Sequence, residues 1–137
     1  MGGLKELIRT EKDGSLSFGN YELEIKAKAS DFEHAGDIYK VKTFKDITKL
    51  EKNEIFAYES VPGTVVTEYR DSENGVSFCV EGIKDTQVIV AVSDDAEYEV
   101  KIDGAVLETY DTNLSGKLVI SLELGEGVSK KVEITRK

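Results

Sequence analysis

Apolar residues in this chain recur at every second position, segment after segment, and that period dictates strands rather than helices. In Lys117–Leu124, Leu118, Ile120, Leu122 and Leu124 share one face, while Lys117, Val119, Ser121 and Glu123 share the other. Successive side chains of an extended backbone point to opposite faces, so this segment is a half-buried strand. Val132 and Ile134 repeat the pattern, as do Tyr98, Val100 and Ile102, and Val76, Phe78 and Val80. Thr86–Val92 is apolar on both faces and reads as a central strand covered on both sides. Cys79 points away from Phe78 and Val80, and cover on both sides would leave it buried and inert. The runs are separated by turn chemistry. Asp103-Gly104 sits directly between two β-like runs, and Asp71-Ser72-Glu73-Asn74-Gly75 and Asn113-Leu114-Ser115-Gly116 supply two more turns.

The N-terminal half is less regular. Asp13-Gly14 leads into Leu16 and Phe18, and Gly19-Asn20 separates these from Tyr21, Leu23 and Ile25, whose alternation predicts a strand. Ile38–Thr43 is a further β-like run, and residues 31–36 form a polar break before it. Leu4, Leu7 and Ile8 have helical spacing. So do Phe44, Ile47 and Leu50, with Asp46 as cap and Asn53 as stop; a twisted strand is the other reading there. The sum is about ten short strands with turn signals roughly every eight to twelve residues, plus one or two short helices. The expected fold is all-β: one antiparallel β-sandwich over residues 1–137, of immunoglobulin-like or jelly-roll type. A chain of 137 residues buries roughly two-thirds of its unfolded surface, enough for a core without staples.

Composition removes several functions. Eighteen Lys and Arg against 27 Asp and Glu give a net charge of −9, which argues against nucleic acid, whose affinity comes from Lys and Arg on phosphates. One Cys forbids an internal disulfide and a Cys-rich zinc site, and one His removes most metal-cluster and triad schemes. No run reaches the length of a membrane-spanning helix, so no membrane partner is expected. Residues 1–9 lack an uninterrupted apolar stretch and a small-residue cleavage site, so the expected location is cytoplasmic, with secretion still open if a leader was removed.

Two resemblances bear on function. Tyr98-Glu99-Val100-Lys101-Ile102-Asp103-Gly104, followed by Gly116-Lys117-Leu118, is similar to the Tyr-x-Val-x-x-Asp-Gly … Gly-x-Leu hairpins of immunoglobulin-like accessory modules on carbohydrate-active enzymes. Leu7-Ile8-Arg9-Thr10, Tyr58-Glu59-Ser60-Val61-Pro62-Gly63-Thr64 and Thr112-Asn113-Leu114-Ser115-Gly116-Lys117-Leu118 resemble stretches of short clostridial-type proteins labelled endosialidase or endosialidase-like. The first resemblance implies a carbohydrate-associated accessory role, the second a glycan-degrading activity. Sialidases bind the sugar carboxylate with three Arg and use a Tyr nucleophile. Here only Arg9, Arg70 and Arg136 are present, two of them near the termini, and there is no Trp.

No nucleophile elbow, Walker loop or dinucleotide fingerprint occurs, so neither catalytic residues nor a cofactor site can be named. Asp31, Glu33, His34 and Asp37 could hold a metal, but a solvated polar loop explains them as well, and no metal site is assigned. Asp94-Asp95 and Asp71-Ser72-Glu73-Asn74 are weak calcium candidates that turn chemistry also explains. Phe18, Tyr21, Phe78 and Tyr98 fall on inward faces, so carbohydrate binding would have to use Tyr39, Phe56, Tyr58, Tyr69 or Tyr110. Ile55-Phe56-Ala57-Tyr58 places four apolar residues in a row between acids, and its second face needs cover. The segment holding Phe44, Ile47 and Leu50 could supply it. The alternative is a homo-oligomer with Phe56 or Tyr58 as the interface anchor. The reading as a whole is a non-catalytic binding, assembly or accessory module. Its alternatives are a carbohydrate-binding domain and a small endosialidase-like enzyme.

Overall fold

The computed structural model describes residues 3–93, 96–112 and 116–137, and for residues 3 and 108–112 the backbone alone. Among the described residues the chain runs through thirteen strands: β1 (Gly3–Thr10), β2 (Leu16–Asn20), β3 (Ala27–His34), β4 (Asp37–Phe44), β5 (Ile47–Lys52), β6 (Ile55–Val61), β7 (Val65–Ser72), β8 (Gly75–Glu81), β9 (Thr86–Ala91), β10 (Ala96–Ile102), β11 (Ala105–Thr112), β12 (Lys117–Leu122) and β13 (Ser129–Arg136). They form two antiparallel sheets, one ordered β1-β2-β7-β8-β13-β10-β11 and the other β12-β9-β6-β5-β4-β3. The sheets pack face to face as a sandwich. The inward residues are those the period-two pattern marks: Val76, Phe78 and Val80 on β8, Leu118, Ile120 and Leu122 on β12, and Val132 and Ile134 on β13.

At the centre lies an aromatic cluster that crosses the sandwich. Phe18 on β2 and Phe78 on β8 meet Tyr58 on the opposite sheet edge-to-face, at centroid distances of 5.3 and 5.5 Å. Phe18 also meets Tyr69 at 5.5 Å. Edge-to-face pairs contribute about 0.5–1.5 kcal/mol each beyond their burial. One end of the inner layer is closed by hydroxyls. Tyr58 Oη and Ser60 Oγ each lie 2.8 Å from Thr64 Oγ1. Thr48 donates to the Thr64 carbonyl at 2.9 Å and lies 2.8 Å from Thr43 Oγ1.

Several expectations are corrected, and local backbone irregularity is the usual reason. Among the described residues there is no helix. Leu4, Leu7 and Ile8 belong to β1, where a register shift and a positive φ of 70° at Leu7 turn strand spacing into helix-like spacing. Phe44 and Ile47 face each other across the β4–β5 hairpin, so their separation of three is a turn, not a helical step. Tyr21–Lys26 is no strand; it carries the chain from the first sheet to the second, with Ile25 82 % exposed and Tyr21 half-buried. The polar stretch at 31–36 is mostly strand, bulged near Asp31. β9 lies between β6 and β12, but only its inner face is fully buried; Ile89 and Ala91 are half-buried on the outside. Cys79 is half-buried on the outer face of β8, where its Sγ donates to a Glu68 carboxylate oxygen at 3.1 Å. Burial, and then that contact, push the thiol up to about 11.

Tyr58 is corrected as well. Leu50 faces Tyr58 while Glu51 faces Phe56, so one residue of β6, Ala57, is extra. This bulge turns both Ala57 and Tyr58 inward, and Tyr58 is wholly buried. It therefore cannot anchor a contact with another subunit. Phe56 stays on the outer face, half-buried, with the Lys117 ammonium 4.8 Å above its ring.

Candidate functional site

The end of the sandwich opposite the hydroxyl network opens as a cleft of about 700 Å³. The β3–β4 hairpin and the end of β5 form one wall, and the β7–β8 hairpin with the end of β13 forms the other. Alternation places the chemistry. Inward positions that carry Val41, Leu50 and Val76 deeper in the core carry Tyr39, Asp37 and Lys52 near the end of the second sheet, and Tyr69 and Asp71 near the end of the first. A bulge at Glu68, with φ of 54°, restores that alternation on β7.

Lys52 ties the two sheets across this end. Its ammonium lies 3.2 Å from Asp71 on the first sheet and 3.6 Å from Asp37 on the second. Asn53 donates to Asp37 at 2.8 Å, and this hydrogen bond, with Lys52 nearby, holds the Asp37 carboxyl below its ordinary range. His34 stands beside Tyr39, edge-to-face at 5.8 Å, and its Nδ1 lies 2.8 Å from Thr10 Oγ1.

The two phenols distinguish this end of the core. Tyr39 and Tyr69 are each only 3 % exposed, yet among the described residues neither hydroxyl has a hydrogen-bond partner. No buried polar side-chain atom among those residues is left both sealed and unpaired, so both hydroxyls must reach solvent. Both residues line the cleft, and the charge of Asp71 acts on each. Burial and the neighbouring carboxylates push both phenols well above their usual range. Tyr58 and Tyr98 differ, since their hydroxyls are bonded within the protein, to Thr64 and to the Ser93 N–H.

The other candidates from the sequence are dispersed. His34 and Asp37 face each other across β3 and β4, while Asp31 and Glu33 are exposed. Among the described residues no three His, Cys, Asp or Glu side chains gather within metal-binding range. Asp71 is engaged by Lys52. Asp94-Asp95 and the Tyr110 side chain lie outside the described residues. Of the aromatics available for stacking on a sugar, Tyr39, Tyr58 and Tyr69 are buried. The cleft itself was not legible in the sequence; its only signal was Tyr39 and Tyr69 each standing two residues from an inward Asp, at 37 and 71. Set against family models, curated proteins and solved structures, the chain matches none, so the endosialidase-like resemblance rests on its quoted stretches alone.

Proposed function

We propose that the chain is a non-catalytic binding module that takes a polyhydroxylated, sugar-like group in the cleft between the β3–β4 and β7–β8 hairpins. The observation that carries this reading is the pair of nearly buried phenols, Tyr39 and Tyr69, which line the cleft and whose hydroxyls find no hydrogen-bond partner among the described residues. A phenol both donates and accepts, as a sugar hydroxyl does, and Asp37, Asp71 and Lys52 add fixed acceptors and a donor around them. Because the rings are packed into the core, recognition rests on hydrogen bonds rather than stacking. A general acid or base works best with a pKa near the operating pH. Asp37 is held low and the two phenols high, so these groups keep one protonation state through neutral pH. The resemblance to accessory modules of carbohydrate-active enzymes points the same way.

Saturation-transfer NMR with a panel of neutral and acidic mono- and disaccharides tests the reading. At least one sugar should bind, and Tyr39→Phe with Tyr69→Phe should weaken it by on the order of tenfold, the scale of one or two net hydrogen bonds. No transfer to any sugar, or equal transfer to the double variant, rejects it.

A further inference from the structure

On the outer face of the second sheet, Lys28, Lys42 and Lys49 stand directly opposite one another on β3, β4 and β5. Neighbouring strands are about 4.8 Å apart, so three ammonium groups share a row roughly 10 Å long. Lys40 lies two residues along β4 on the same face, and Lys26 stands at its edge with its ammonium 5.6 Å from the Phe44 ring centroid. Among the described residues none of the five makes an ion pair; the salt bridges found there involve other cations. The carboxylates nearest in register, Glu51 opposite Lys40 and Glu59 opposite Lys49, stay beyond ion-pair distance. Like charges directly opposite on a sheet destabilise it. The mutual repulsion is felt at Lys42, whose affinity for its proton is reduced chiefly by Lys28 and Lys26, then by Lys40 and Lys49. An acidic chain of net charge −9 thus concentrates unneutralised cations on one face.

We propose that this face is a second binding site, separate from the cleft, for a linear anionic polysaccharide carrying carboxylate or sulfate groups. Between Lys40, Lys42, Lys49 and Glu51 the face carries a dimple of only about 80 Å³, which suits an extended chain laid along the row rather than a compact ligand sunk among the lysines. It consists of lysines, which are hydrated point charges without the fork by which arginine grips a single phosphate or carboxylate. The rings on this outer face, Phe44 and Phe56, are each half-buried beneath a lysine ammonium, Lys26 and Lys117, so neither offers an open platform for base stacking. The net negative charge elsewhere opposes a long nucleic acid.

The test is fluorescence anisotropy with labelled heparin and labelled polygalacturonate, on wild-type protein and on the triple variant Lys28→Gln, Lys42→Gln, Lys49→Gln. Wild type should bind at least one polymer, with affinity falling on the order of 50-fold between 50 and 200 mM salt, as expected for about four neutralised charges. The triple variant should bind at least tenfold more weakly, yet unfold at an equal or higher urea concentration because a repulsion is gone. Should it fail to fold, Lys28→Gln with Lys42→Gln carries the same expectation. The sources of anion separate by probe: tighter binding to single-stranded DNA or to anionic vesicles than to either polysaccharide overturns the assignment. So does binding unchanged by the substitutions, or binding to neither polymer. Tyr39→Phe should leave polymer binding intact, which keeps this site's outcome distinct from that of the cleft.

Discussion

Replacing single tyrosines by phenylalanine separates hydroxyls that hold the fold from hydroxyls that have no hydrogen-bond partner among the described residues. Tyr58 Oη is sealed inside the core and shares Thr64 Oγ1 with Ser60, each at 2.8 Å. Tyr58→Phe keeps the three-ring contact with Phe18 and Phe78, so it isolates the hydrogen bond. A net intramolecular hydrogen bond contributes about 0.5–1.5 kcal/mol, and a buried network sits at the upper end. With a urea slope of about 1.5 kcal/mol per molar, the midpoint should fall by about 0.7–1 M. Tyr39→Phe and Tyr69→Phe remove hydroxyls with no hydrogen-bond partner among the described residues, so each should stay within about 0.5 kcal/mol of wild type, or about 0.3 M. Equilibrium urea unfolding followed by tyrosine fluorescence and far-ultraviolet circular dichroism gives all three numbers. A Tyr69→Phe loss as large as that of Tyr58→Phe would mean a protein partner for the Tyr69 hydroxyl, and the argument for the cleft would fail with it.

Three further outcomes follow from the geometry. A Cβ at Gly75, where φ is +146°, would run into the Ile134 carbonyl of β13, whereas Gly104, at +85°, has open space around it; Gly75→Ala should therefore lose more than about 2 kcal/mol and Gly104→Ala about 1 kcal/mol, read from urea midpoints. Cys79, with its thiol pushed up from 9.0 to about 11 by burial and then by Glu68, should react with a thiol reagent at pH 8 on the order of 100-fold more slowly than in denaturant, and Glu68→Gln should speed it; equal rates in native and denatured protein would refute the burial, and a Glu68→Gln rate equal to wild type would refute the Glu68 contact. Asp13 is held at about 2, first by the Ser15 hydroxyl and then by the Ser15 N–H, against 3.8 ordinarily. A depressed carboxyl contributes stability above its unfolded value and loses it as pH falls through the folded one, so the midpoints of wild type and Asp13→Asn should converge between about pH 4 and pH 2; parallel curves through that window would assign the acid sensitivity to other carboxylates.

How far the sequence could be read depended on where the backbone keeps its period. Leu118–Leu122 and Val76–Val80 are regular from end to end, and there alternation named the buried face residue by residue. Asp103-Gly104 marked its hairpin because Asp103 and Gly104 both adopt positive φ. Reading failed where an extra residue enters a strand. The shift in β1 brought Leu4 and Ile8 inward at helical spacing, and the bulge in β6 made Ile55–Tyr58 resemble a strand with two apolar faces. A period-two template has no register for an inserted residue, so each bulge flips the inferred face of whatever follows it. Tyr58, moved from outside to inside by one such insertion, shows the scale of the consequence: an inferred contact with a partner becomes the centre of the core. The lysine row was hidden for a different reason. Lys26, Lys28, Lys40, Lys42 and Lys49 never form a run, and the whole-chain charge of −9 averages them away. Only strand pairing sets Lys28, Lys42 and Lys49 side by side, and pairing register is long-range information that the local pattern of one sequence does not hold. The cleft depends on the same kind of information, because Tyr39 and Tyr69 are thirty residues apart and meet only when the two sheets close on each other. Both proposed sites therefore lie where the fold, not the local pattern, decides which side chains become neighbours.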